Sequence, residues 1–225
     1  MTIVSQYDPL NSPFPVPWHW LVAAQQSPGH GGYSYYRTSS LISPDQQYSS
    51  YSRIRLQAGH ALADSRANSV LFVEDLVNSS LYAPLAASPL GNYPPAADPQ
   101  AEVAGSFSLL MPIAWSMTGR YLLSRQFEGF FCSAYASDYA VVWDSRSRQS
   151  QTLAPRGVEH SYCVLLGWSS PQADGVLFRC GILGNPHPRK WLVTLDGQTL
   201  PATDQTKAFT YGQVDDTWVG PPQRD

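Results

Sequence analysis

Between Ala114 and Asp144 the apolar and polar residues fall into short runs that read as strand, tight turn, strand, long loop, strand. Ala114-Trp115-Ser116-Met117-Thr118-Gly119-Arg120-Tyr121-Leu122-Leu123-Ser124 supplies the first two strands and their turn, and Tyr139-Ala140-Val141-Val142-Trp143-Asp144 supplies the third. A weaker copy lies upstream, in Ile42-Ser43-Pro44-Asp45-Gln46-Gln47-Tyr48 followed by Val70-Leu71-Phe72-Val73-Glu74-Asp75. Another lies downstream, from Gly167-Trp168-Ser169 through Gly175-Val176-Leu177-Phe178 to Trp191-Leu192-Val193-Thr194-Leu195-Asp196. Short apolar runs bounded by turn residues signal strands. The pattern therefore predicts an all-β fold of three four-stranded units, at about 38–83, 107–154 and 162–202. Each unit ends on an acidic turn, with Asp75 before Leu81, Asp144 before Leu153, and Asp196-Gly197 before Leu200. Asp-Gly is the strongest hairpin signal of the three.

The flanking segments read differently. Pro13, Pro15 and Pro17 fix φ at alternate positions, which favours an extended arm over residues 1–17, lying on the surface or on a partner. Trp18 to Ala24 reads as a strand and 27–32 as a Gly-rich turn. The polar stretch 55–68 reads as a loop, with a turn or two of helix around Ala61 and Leu62. Five prolines between Pro84 and Pro99 mark 84–105 as an insertion between units. Lys207 to Gly212 reads as one more strand, and 220–225 as a loose tail. The length suits one domain, over 18–219.

Charged residues make up 14% of the chain and the net charge is -3, so no global field draws it to nucleic acid or to an anionic membrane. The N-terminus lacks a basic start and an apolar core, which predicts a cytoplasmic protein with no membrane insertion. Cys132, Cys163 and Cys180 lack zinc spacing. Cys163 and Cys180 are placed to face each other across paired strands, but free buried thiols are the expectation in a reducing compartment. The five histidines are scattered, so no metal or cofactor is expected. No nucleophile elbow, HExxH or Walker motif is present, and no catalytic residue is assigned. Glu74 with Asp75, and Glu128 with Asp138, are the carboxylates open to a glycosidase. Asp75 is more simply a turn residue, and Glu128 a solvated loop charge.

Trp115-Ser116-Met117-Thr118-Gly119-Arg120-Tyr121 resembles the Trp-Ser-Pro-Asp-Gly-Arg-Tyr strand-turn of TolB-like propeller blades, and Trp143-Asp144 is similar to the dipeptide closing the third strand of WD-repeat blades. Ser43-Pro44-Asp45 and Trp168-Ser169 match the first motif in part. Gly59-His60, by contrast, falls inside a loop and not before a first strand. The resemblance spans about 38–203 and implies a propeller-like fold. Because closed propellers have at least four blades, the terminal strands near Trp18 and Lys207 are expected to form a composite fourth sheet. The competing solution is an incomplete ring closed by a partner or a second copy. In a blade, the loop between strands two and three shares a side with the connection to the next blade, here 55–68, 126–138, 184–189 and 84–105. The aromatic loop with Phe127, Phe130, Phe131 and Tyr135, the proline-rich connection at Tyr93, and the rigid loop displaying His187 are thus the expected docking residues. The expected function is a non-catalytic protein–protein interaction module or a subunit of a larger soluble assembly. The rival is a hydrolase or small-ligand protein using a central channel, a reading that asks for carboxylates or histidines at the inner strand starts, where Ser108, Leu109, Tyr162 and Cys163 stand.

Overall fold

The computed structural model describes residues 8–26, 32–87 and 104–222. Tyr93 and most of the proline-rich insertion lie outside the described residues, as do 27–31 and 223–225. Among the described residues the fold is all-β apart from one helix, α1 (Trp18–Gln25), and a short 3-10 turn at Leu62–Asp64.

Three antiparallel meanders follow one another. The first has β1 (Tyr33–Arg37) and β2 (Ser40–Ile42) both lying along β3 (Tyr48–Gln57), then β4 (Arg66–Asp75) and β5 (Ser80–Tyr82). The second is β6 (Ser106–Trp115), β7 (Tyr121–Phe130), β8 (Ala136–Asp144) and β9 (Gln149–Leu153). The third is β10 (Tyr162–Trp168), β11 (Gly175–Gly181), β12 (Arg189–Thr194) and β13 (Thr199–Ala202). A brief parallel pairing of Ala67 and Asn68 with Phe107 and Ser108 joins the first two units into one sheet. Among the described residues the sheets form no closed barrel or closed propeller.

The same local chemistry turns each unit's first strand into its second. The Ser43 hydroxyl accepts from the Tyr48 amide, and the Ser116 hydroxyl from the Tyr121 amide, both at 3.0 Å; in the third unit the Ser169 hydroxyl donates to the Gly175 carbonyl. The tryptophan before the turn serine of the second and of the third unit then reaches back one unit. Trp115 donates its indole N–H to the Leu41 carbonyl at 3.0 Å, and Trp168 donates to the Trp115 carbonyl at 2.9 Å. Successive residues of the second unit face opposite neighbours. Leu122, Val141 and Trp143 pack against the first unit, while Leu123 and Val142 pack against the third. Strands buried on both faces read as continuous apolar runs, which is why this unit gives the clearest pattern.

The C-terminal segment crosses all three units. Phe209 pairs with Trp168, Tyr211 with Trp115, β14 (Gln213–Asp215) with β2, and Gly220 with Arg37. The crossing needs a glycine at 167. That residue has φ +130°, and a Cβ there would stand 3.0 Å from the Phe209 carbonyl oxygen. Lys207 to Gly212 is consequently a strap with isolated bridges where a strand was expected, and no composite fourth sheet forms among the described residues.

Trp18 to Ala24 is helical, a correction of the strand expectation. Its run, apolar but for His19, carries no clear period, and helical geometry buries Leu21 while setting the Trp18 ring against Phe107 and Phe131. The two expected inner loops are also shorter than the sequence suggests. Strand β3 continues to Gln57 and β4 begins at Arg66; β7 continues to Phe130 and β8 begins at Ala136. Cys163 and Cys180 stand directly opposite in register and form a disulfide, which corrects the expectation of free thiols. The cysteines therefore no longer argue for a reducing compartment. Among the described residues, no helix is long and apolar enough to cross a membrane.

Candidate functional site

Strand alternation gives the first unit one buried and one open face. Ile54, Leu56, Leu71 and Val73 point into the molecule and are fully buried. The opposite face presents Tyr33, Tyr35 and Arg37 from β1, Tyr51, Arg53 and Arg55 from β3, and Val70 and Phe72 from β4. Register brings Arg37 opposite Arg53, Tyr35 opposite Arg55, Arg53 opposite Val70 and Tyr51 opposite Phe72. Tyr51 and Phe72 stack at 5.4 Å, the Arg37 guanidinium lies 3.8 Å above the Tyr51 ring, and Arg55 lies 5.1 Å from the centre of Tyr33. Tyr33, Tyr35 and Val70 are each about half exposed, at 53%, 48% and 48%. Cation–π stacking on this scale gives a face that is rigid, aromatic and positively charged. Burial, with Glu74 close by and hydrogen-bonded, pushes the Tyr51 hydroxyl above its ordinary pKa, so the ring stays neutral.

The residues expected to dock a partner are not brought together. Phe127 and Phe131 are buried with Trp18 and Phe107 under α1, which corrects their placement as exposed loop aromatics. The physical reason is that β7 runs on through Phe127 to Phe130 and carries Phe131 at its end, so the apolar rings of Phe127 and Phe131 have a helix to pack against. Phe130 is half-buried against Tyr135, 5.9 Å away, and Tyr135 is exposed. His187 is exposed at the far side of the third unit, where its amide donates to Asn185 Oδ1 at 3.0 Å.

A second polar centre holds the N-terminal arm. Arg125, fully buried, donates from Nη1 to Asp8 Oδ2 at 2.6 Å and to the Phe14 carbonyl at 2.6 Å, and from Nε to Asp138 Oδ1 at 2.7 Å. Asp138 also accepts from the Leu165 amide of β10 at 2.9 Å. One guanidinium thereby links the arm, the second unit and the third. Residues 8–17, the described part of the expected arm, are thus docked on this chain's own core. Burial works against the charge on Arg125, and the two carboxylates more than restore it. Burial pushes Asp138 up to about 6, against the pull of Arg125 and with the push of Asp8. Sequence reasoning passed over this centre, although Arg125 inside the run Leu122-Leu123-Ser124-Arg125-Gln126-Phe127 is a signal, because a charge amid buried positions demands a partner.

Glu128 is a buried strand residue, not a solvated loop charge. Its Oε1 accepts from Gln126 at 2.7 Å and from Ser108 at 3.1 Å. Because Phe127 pairs with Asp138, Glu128 and Asp138 lie on opposite faces of the sheet and make no carboxylate pair. Asp75 is a turn residue, its pKa lowered chiefly by the Asn78 side chain and then by the Asn78 amide. Among the described residues, no group of three His, Cys, Asp or Glu side chains is placed to hold a metal.

The Asp138 environment predicts a pH dependence. Its folded pKa of about 6 lies above the ordinary 3.8, so the folded state holds this proton more tightly than the unfolded chain. The resulting stabilisation is complete below about pH 4 and is lost as pH rises through about 6, amounting to on the order of 3 kcal/mol. Urea melts of the wild type and of Asp138→Asn should diverge in slope over this window, with wild-type stability falling relative to the variant as pH rises. Parallel profiles would refute the shift.

Neither a scan against protein-family models nor a search of curated proteins finds a match for the chain.

Proposed function

We propose that the chain is a non-catalytic protein–protein interaction module, an open three-unit relative of the β-propeller that serves within a soluble assembly. The observation that carries this reading is the open face of the first unit. The second unit is covered on both faces by its neighbours, whereas β1, β3 and β4 present half-exposed Tyr33, Tyr35 and Val70 beside three arginines. Contiguous exposed apolar surface of this kind marks interaction sites, and Tyr and Arg are the preferred anchors. The serine turns of the three units, preceded by tryptophan in the second and third, support the likeness to propeller blades. With Phe127 and Phe131 buried, docking is assigned to this face in place of the aromatic loop.

Affinity capture from the native extract tests the reading, with the double variant Tyr33→Ala/Tyr35→Ala as control. Both side chains are exposed, so the variant should melt as the wild type does. A co-purifying protein reduced at least about tenfold by the variant is the expected result. Capture that is indifferent to the two tyrosines, or no capture at all, would remove the support.

A further inference from the structure

The open face continues into a groove of about 610 Å3 between β1 and the C-terminal stretch 217–222, lined by Tyr35, Arg37, Arg53, Trp218, Val219 and Pro222 among others. Trp218 is 69% exposed. The two arginines are cross-strand partners. Arg37 exchanges its backbone bonds with Gly220 on the other side, so the Arg37–Arg53 pair is of the non-hydrogen-bonded kind that brings side chains closest. Like charges directly opposite one another are destabilising, and no carboxylate among the described residues forms an ion pair with either guanidinium. Glu74 is hydrogen-bonded to Tyr51 and Asp215 to Thr217; Asp215 also feels the charge of Arg37, whose Nη2 donates to the Ser40 hydroxyl at 3.0 Å. Arg53 is exposed and makes only a distant ring contact, 6.0 Å from the centre of Phe72. Pairing with Arg37 stops at Gly220, because Pro221 and Pro222 have no N–H to extend the ladder, and the outward backbone of Tyr35 is left facing the groove.

From this geometry we infer that the groove binds an extended acidic peptide segment of a partner protein. Carboxylates at alternate positions of the segment neutralise Arg37 and Arg53, apolar residues lie on Tyr35, Trp218 and Val219, and the segment's backbone completes the edge at Tyr35. Charge complementarity selects this occupant. Charge-assisted bonds to carboxylate are the stronger class of hydrogen bond, and addition to a strand edge is an established mode of peptide recognition. The inference rests on the interaction-module reading and names the partner's chemistry.

The test is fluorescence anisotropy with a labelled peptide of alternating glutamate and leucine, set against its glutamine counterpart. The wild type should bind the glutamate peptide at least about tenfold more tightly, with affinity falling as salt rises. Arg53→Glu, at an exposed position, should abolish that preference while the melting curve is unchanged, and should create a preference for a lysine–leucine peptide. Equal binding of the glutamate and glutamine peptides would overturn the inference, as would glutamate binding that survives Arg53→Glu. Inorganic phosphate that displaces the glutamate peptide at stoichiometric concentration would overturn it too, by assigning the arginines to a phosphate ligand. If the peptide preference fails but capture still depends on Tyr33 and Tyr35, the acidic class falls and the module reading stands.

Discussion

Replacing Arg125 with methionine should destabilise the protein by about 3–5 kcal/mol at neutral pH, the range observed when one member of a buried charge cluster is removed. The shape of the side chain is largely kept, so the loss measures charge rather than volume. The substitution strands Asp8 and Asp138, both buried, with no cation between them. It also leaves the Phe14 carbonyl without its donor. Two carboxylates in such a place cost more than the guanidinium they lost, and relief comes only from protonation, so the defect should shrink as pH falls. Converting Asp8 and Asp138 to asparagine in the methionine background should recover a large part of the stability, because asparagine keeps an acceptor for the Leu10 and Leu165 amides while removing the charge. Urea denaturation of the three proteins checks this. A methionine variant within about 1 kcal/mol of wild type, or no recovery in the triple variant, would show that the cluster does not hold the arm. Hydrogen exchange localises the effect, since the Leu10 and Val16 amides both bond to Asp8 and should lose protection first.

What the sequence makes legible is the chemistry that acts over a few residues. The serine turns at 43, 116 and 169, and the aspartates at the ends of β4 and β8, satisfy backbone groups within six residues of themselves, so their meaning is local and readable. The second unit is clearest because both of its faces are covered. Arg125 is different. Its meaning depends on Asp8, 117 residues away, and the polar run Arg125, Gln126 and Glu128 looks like the end of a strand when it is a buried middle. The helix α1 was hidden for another reason. Trp18-His19-Trp20-Leu21-Val22-Ala23 is apolar nearly throughout, and only the rings of Phe107 and Phe131 beneath it decide between helix and strand. The open face of the first unit was equally out of reach. Phe72 falls in an expected strand, but whether such a face is exposed depends on what the rest of the chain packs against it, and no periodicity reports that.

Ending the chain after Ala202 should remove most of the stability, although every strand of the three meanders would remain. The deleted segment contributes the pairing of Phe209 with Trp168, of Tyr211 with Trp115, of β14 with β2 and of Gly220 with Arg37. Lys190 Nζ also loses the Asp204 and Thr206 carbonyls, at 2.7 and 2.9 Å. Backbone bonds of this kind contribute about 1 kcal/mol each, and with Phe209 packed against the core between the second and third units the sum reaches more than about 5 kcal/mol, close to the whole stability of an ordinary domain. The units are otherwise joined by their neighbouring faces, the brief β4–β6 pairing and the bonds made by Trp115, Trp168 and Asp138, and the strap is the one stretch of described chain that pairs with every unit. The truncated chain should therefore melt early and broadly, bind a hydrophobic dye, and lose exchange protection in β2 and β6 together. A synthetic peptide of residues 203–222 added in trans should restore a sharp transition, which distinguishes a missing strap from a chain too damaged to fold. Gly167→Val is the milder probe, since it keeps the strap but places side-chain atoms against the Phe209 carbonyl at a backbone angle that valine does not adopt readily. It should lower stability by less than the truncation and shift it in the same regions. If the truncated protein melts within a few degrees of the full chain, the units cohere through their faces alone and the strap is an accessory.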